Sequence, residues 1–136
     1  MLIWLSFWGC RMMQKLFLLA VAGALGTLAR YGLGGWVQRW GGASFPWGTL
    51  IVNMTGCFLF GIVWAIALNR VEISGTTRAI FLTGFMGAFT TFSTYMFETV
   101  QMTRDAEWLL AAANVAGQTV VGFLLMFLGM TIGRLV

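Results

Sequence analysis

Four apolar stretches run through this chain with only short polar connections between them, at about Leu16 to Val37, Gly48 to Leu68, Arg78 to Val100 and Trp108 to Gly133. A helix needs roughly 20 apolar residues to cross the hydrocarbon core of a bilayer, so each stretch suffices for one crossing. Lipid offers no partner for a backbone N–H or C=O, and a segment of this length and composition satisfies them internally only as a helix. The predicted fold class is an all-α membrane protein of four transmembrane helices. It divides into an N-terminal extension, residues 1–15, and a single membrane domain, residues 16–136.

Composition excludes most alternatives. Charged residues make up 9% of the chain, against about a quarter in a soluble domain, so no solvated surface can be covered. There is no His, and the two cysteines, Cys10 and Cys57, stand far apart among four acidic residues. That removes most metal sites, a disulfide framework and paired acid–base residues, so no enzyme is expected. The net charge of +4 comes from cations spread singly, at Arg11, Lys15, Arg30, Arg39, Arg70, Arg78, Arg104 and Arg134. Nucleic acid calls for a clustered basic stripe, and none is present.

Residues 1–15 place Trp4, Phe7 and Trp8 before Arg11 and Lys15, the reverse of a signal peptide's order, so no cleavage is expected. With four crossings the termini share one side. Arg11, Lys15, Arg70, Arg78 and Arg134 fall there, against Arg39 and Arg104 opposite. This excess leans toward cytoplasmic termini, and it shrinks when Arg11 is left out.

Polar groups inside the stretches carry the functional signal. Gly23, Gly26, Arg30 and Gly34 share one face of the first; the glycines read as a packing seam, whereas Arg30 must face protein or water, or snorkel to the nearby helix end. Thr49, Asn53 and Cys57 recur every four residues in the second, and Asn53 must pair with another helix or face a wet passage. Asn114 and Gln118 repeat the device in the fourth, where they could serve as interhelical glue. The third crowds Gly84, Gly87, Thr90, Thr91, Ser93 and Thr94 into its middle, which predicts an interrupted helix whose freed carbonyls suit a hard cation. Phe85, Phe89, Phe92, Tyr95 and Phe97 interleave with them, and Glu98 follows Thr94 by one turn, an intramembrane carboxylate unless it snorkels.

The run GFMGAFTTFSTYMFET, residues 84–99, resembles the third-helix signature of the CrcB/Fluc fluoride channel family. GALGTLARY at 23–31 and PWGTLIVNMTGCFLFG at 46–61 are similar to its first and second motifs. The resemblance implies an antiparallel, dual-topology homodimer in the bacterial inner membrane, with the third helix broken near its middle. It further implies two fluoride pathways and a structural sodium ion held by backbone carbonyls. The positions it assigns to sodium are Gly87 and Thr90, and to the pathway Asn53, Phe92 and Tyr95, with Thr49, Ser93, Thr94 and Glu98 along the track and Arg30 in the vestibule. Tyr95 departs from the family's phenylalanine, and Asn114 and Gln118 stand where relatives often carry Tyr and Ser. The implied partners are fluoride, sodium, lipid and a second copy of the chain, and the implied task is passive release of cytoplasmic fluoride.

Two rival readings stay open at this point. A small multidrug-type exporter shares the size and dimeric build, but centres its chemistry on a first-span carboxylate, where this chain has Arg30 and no acid. A non-transporting assembly subunit would account for the glycine seams and leave the polar middle of the third stretch without a purpose.

Overall fold

The computed structural model describes residues 2–69 and 73–135, with the backbone alone for 2–10 and 69. Arg70 and Glu72 of the second connection lie outside the described residues. Five helical segments form four membrane-length rods, α1 (Leu2–Gly41), α2 (Trp47–Asn69), α3 (residues 75–89) with α4 (Phe92–Arg104), and α5 (Trp108–Gly133). Four helical runs are long and apolar enough to cross a membrane: Arg11–Gly41, Trp47–Leu68, Gly75–Arg104 and Trp108–Gly133.

The second and fourth runs lie where the hydropathy places them, and the other two are longer. Helix α1 begins at Leu2, ahead of the apolar stretch, because no proline precedes Pro46 and residues 11–15, RMMQK, are all good helix formers. Its 40 residues extend about 60 Å, beyond any hydrocarbon core. The third run starts at Gly75, where the Ser74 hydroxyl accepts from Thr77 N at 3.1 Å and caps the helix. It winds wide over Ile80–Met86, and α5 does the same over Gly117–Val121. Such π-type turns re-aim the side chains that follow.

Between α3 and α4 the backbone leaves the helix for two residues. Thr90 has φ −83° and ψ 160°, and Thr91 has φ −148° and ψ 112°, both extended. Thr91 then caps α4, its hydroxyl accepting from Thr94 N at 3.3 Å.

Glycines decide how closely the rods approach, as expected where lipid gives no hydrophobic drive between helices. Helix α2 lies against α5 along the second half of each. A Cβ on Gly129 would run into the Phe58 carbonyl oxygen and come 3.1 Å from Ile62 N; one on Gly133 would come 2.6 Å from Ile62 O. Helix α1 packs on α3 and α2, with Gly26 against the Phe85 carbonyl and Gly34 against Gly48. Gln38 braces the first connection: its Nε2 donates to Phe45 O at 3.0 Å and its Oε1 accepts from Gly48 N at 2.9 Å. Large apolar side chains such as Phe17, Leu28, Leu109 and Phe123 point outward, a surface suited to acyl chains.

Candidate ion pathway

The two extended residues are held by α2. Asn53 acts on Thr91 as a neighbouring strand would: its Oδ1 accepts from Thr91 N at 2.8 Å and its Nδ2 donates to Thr91 O at 3.1 Å. The same Nδ2 donates to Gln118 Oε1 on α5 at 2.7 Å. Gln118 Nε2 then donates to Asn114 Oδ1 at 3.3 Å, Asn114 Nδ2 to Thr99 Oγ1 at 2.9 Å, and Thr99 Oγ1 to Tyr95 O at 2.8 Å. A continuous polar chain therefore links α2, α5 and α4 at membrane depth. Its three amide side chains are buried, Asn114 completely, and their mutual pairing is what makes that burial tolerable.

The interruption also redirects amides. In an unbroken helix Thr91 N–H would donate to the Gly87 carbonyl and Thr94 N–H to that of Thr90. Here they go to Asn53 Oδ1 and to Thr91 Oγ1. The carbonyls of Gly87 and Thr90 are thus relieved of their helical donors. Thr90 O keeps one long contact, from Arg30 Nη1 at 3.5 Å. The Thr90 methyl packs on Gly56 of α2, where a Cβ would collide with it.

Two clefts flank this point. One, of about 440 Å³, is lined by Arg30, Thr49, Thr91, Thr94 and Glu98 together with Gly32, Gly34 and Gly35 of α1. Thr49 Oγ1 donates to Glu98 Oε1 at 2.6 Å, while the buried Glu98 Oε2 has no partner among the described residues. The other, of about 360 Å³, is lined by Asn53, Thr90, Phe92, Tyr95 and Gln118. Phe92 stands outward and 73% exposed, Tyr95 is buried, and their rings meet edge to face at 5.6 Å. Thr91 lines both clefts.

The structure therefore brings Arg30, Thr49, Thr94 and Glu98 together on one side of the interruption, and Asn53, Thr90, Phe92 and Tyr95 on the other. Ser93 lines neither cleft; its Oγ lies 3.4 Å from Thr91 Oγ1. Gly87 also lies outside both, on the exposed side of α3. Sequence reasoning left out Thr91, Thr99, Asn114 and Gln118 as site residues. The signals for them were present: a threonine before a helix start, and two amides one turn apart that lipid forbids to stand alone.

Residues 17–130 match the family described as "CrcB-like protein, Camphor Resistance (CrcB)". The chain belongs to this CrcB family. It is 58% identical over 125 residues to the protein named fluoride-specific ion channel FluC of Nitrosococcus oceani, covering 92% of this chain and all of that one. It is 52% identical to the protein of that name from Nitratidesulfovibrio vulgaris and 50% to that from Solidesulfovibrio magneticus, again over the whole of each relative and 91% and 92% of this chain. As a CrcB-family chain with four apolar crossings, the protein is a multi-pass protein of the bacterial inner membrane. The CrcB match encloses every cleft residue named above, from Arg30 to Gln118.

Proposed function

We propose that the protein is a fluoride-selective channel, working as an antiparallel, dual-topology homodimer, that lets cytoplasmic fluoride leave the cell passively. The relatives' names support fluoride as the permeant ion. The observation that carries the reading within the molecule is the amide brace at Thr91, a polar point at the middle of a crossing with a cleft on either side. Fluoride is small and strongly hydrated, so a pathway must replace its water with hydrogen-bond donors. Hydroxyls of Thr49 and Thr94 and the amides of Asn53 and Gln118 supply O–H and N–H groups, those of Thr49 and Asn53 by exchanging their present acceptors for the ion. The edges of Phe92 and Tyr95 add the positive rim of an aromatic ring. Arg30 raises the local anion concentration at the cleft mouth.

The pairing of two copies is supported by what a single chain leaves uncovered. Phe92, Ser93 and Thr94 are exposed at the centre of a crossing, and hydroxyls there are better covered by protein than by lipid. A sodium ion between the copies would be held by the carbonyls of Gly87 and Thr90, whose helical donors have been drawn away. Oxygen donors suit a hard cation, and the ion would supply positive charge that ties the two interruptions together. No energy source is required: an inside-negative potential contributes about 2.3 kcal/mol per 100 mV toward anion exit. No acid–base work and no enzymatic activity belong to this reading.

The test is reconstitution of the purified protein in liposomes, with fluoride and chloride release followed by ion-selective electrodes. Rapid fluoride release with chloride retained is the expected result. Equal leakage of both, or release of neither, rejects the fluoride-selective channel, release of neither favouring a non-transporting assembly subunit, and proton-coupled uptake of an organic cation would point instead to a small multidrug-type exporter.

A further inference from the structure

One group of side chains in the Asn53 cleft has no part in anion passage. Met54 and Cys57 of α2 and Met126 of α5 all line it. Met54 and Cys57 are three residues apart, and Met126 lies four beyond Gly122, so each pair shares a helix face. Gly122 opens the space between them: a Cβ there would come 3.2 Å from Met54 Cε, 3.5 Å from Cys57 Sγ and 4.0 Å from Met54 Sδ. Both sulfurs thus border the one gap that the absent methyl leaves. Cys57 carries no disulfide.

We propose that Met54, Cys57 and Met126 form a binding site for one soft monovalent cation, Cu(I) or Ag(I), and that its occupancy stoppers the cleft one helical turn from Asn53. A thiolate with thioethers is the donor set that selects such ions over hard ones. On binding, the Cys57 S–H bond breaks, the sulfur forms the metal bond and the proton leaves to solvent. The thiolate and a monovalent ion then sum to zero charge, whereas a divalent ion would leave a net charge at membrane depth, where charge is costly. Methionine is unbranched and rotates freely, so both thioethers can adapt to an ion held by Cys57.

The site is tested by binding alone. In a Cys10→Ser background Cys57 is the sole thiol. That protein, incubated with silver nitrate in chloride-free buffer, is expected to carry one silver per chain through gel filtration. Cys57→Ser in the same background is expected to carry none. Replacing Met54 and Met126 with Leu should weaken retention by about tenfold or more. Silver kept by the Cys57→Ser variant, or affinity unchanged without both methionines, overturns the site. Should a variant fail to elute as folded protein, alkylation of Cys57 in the Cys10→Ser protein decides: silver should slow it, and alkylation at the silver-free rate overturns the proposal. The blocking role rests on the channel reading. One equivalent of silver should arrest fluoride release from liposomes bearing the Cys10→Ser protein and not from those bearing its Cys57→Ser variant. Undiminished release at full occupancy overturns the blocking role, whereas failure of the channel reading would show beforehand, as no fluoride release without silver.

Discussion

The two halves of α2 are held in opposite ways. From Phe58 onward the helix meets α5 with nothing between the backbones but glycine hydrogens, Gly61 lying on the Met126 carbonyl and Gly129 on that of Phe58. From Gly48 to Gly56 hydrogen bonds join the close approaches: Thr49 reaches Glu98 and Asn53 reaches Thr91 and Gln118, between Gly48 on the Gly34 carbonyl and Gly56 under the Thr90 methyl. The first half of α2 is therefore specified by hydrogen-bond partners as well as by shape, and the second by the shape of the approach. A close-packed seam has one good arrangement and resists any added atom. A polar brace tolerates side-chain volume but demands that every donor and acceptor find its match. In one helix, a close-packed footing thus supports a braced polar site.

The largest effect is expected where the seam is filled. Gly129→Leu puts a side chain onto the Phe58 carbonyl and against Ile62 N, at a cost above the roughly 1–3 kcal/mol of ordinary overpacking because the obstacle is backbone. The variant should give no discrete folded peak on gel filtration in detergent. Gly32→Ala, where nothing lies within 4 Å, should elute as the parent does. A normal profile for Gly129→Leu would show that α2 and α5 are not bound by shape.

Asn53→Ala breaks the other half. It leaves Thr91 N–H, Thr91 C=O and Gln118 Oε1 without the partners they have now, and an unsatisfied buried group costs about 1–3 kcal/mol. The seam is untouched, so the variant should fold and elute normally. Its fluoride release should fall by about tenfold or more, since 1.4 kcal/mol is already a factor of ten. Parental flux in this variant would reduce Asn53 to packing and erase the contrast between the two halves.

This contrast also explains how far the sequence could be read. The crossings were legible because 20 apolar residues in a row have one destination, and the crowding of hydroxyls from Thr90 to Thr94 marked the middle of the third crossing as unusual. The polar residues of α1 and α2 could be assigned to faces by period alone. What period cannot give is the partner. Asn53 was visible as an amide that must be paired, yet its pairing with the backbone of Thr91 depends on how α2 lies against the α3–α4 junction. Asn114 and Gln118 could be read as interhelical glue, and they do bridge helices, but period could not show that they continue Asn53's own chain of bonds. The wide turns at Ile80–Met86 and Gly117–Val121 left no mark either, since a one-residue excess in a helix is set by what its neighbours require. The start of α1 was placed too late because the end of an apolar stretch is not the end of a helix.

The smallest effect is the most discriminating, because it acts where shape and polarity meet. Gly56 sits under the Thr90 methyl, with Phe89 Cδ1 3.4 Å from where a Cβ would be. Gly56→Ala should therefore tilt Thr90 and its carbonyl, and with it the Thr91 N–H of the same peptide plane that Asn53 holds, while leaving the Gly129 seam untouched. If Gly87 and Thr90 hold sodium, exchange of sodium for lithium or a large organic cation should impair fluoride release or dimer integrity in the parent protein. Gly56→Ala should then require more sodium to restore it, by about fivefold for a shift near 1 kcal/mol. The measurement is fluoride release and elution volume across a sodium series at fixed ionic strength. Indifference of the parent to sodium would remove the two carbonyls as ligands. A sodium-dependent parent with an unshifted Gly56→Ala curve would instead show that the Thr90 carbonyl is positioned by α3 alone, so that the first half of α2 acts only through Asn53.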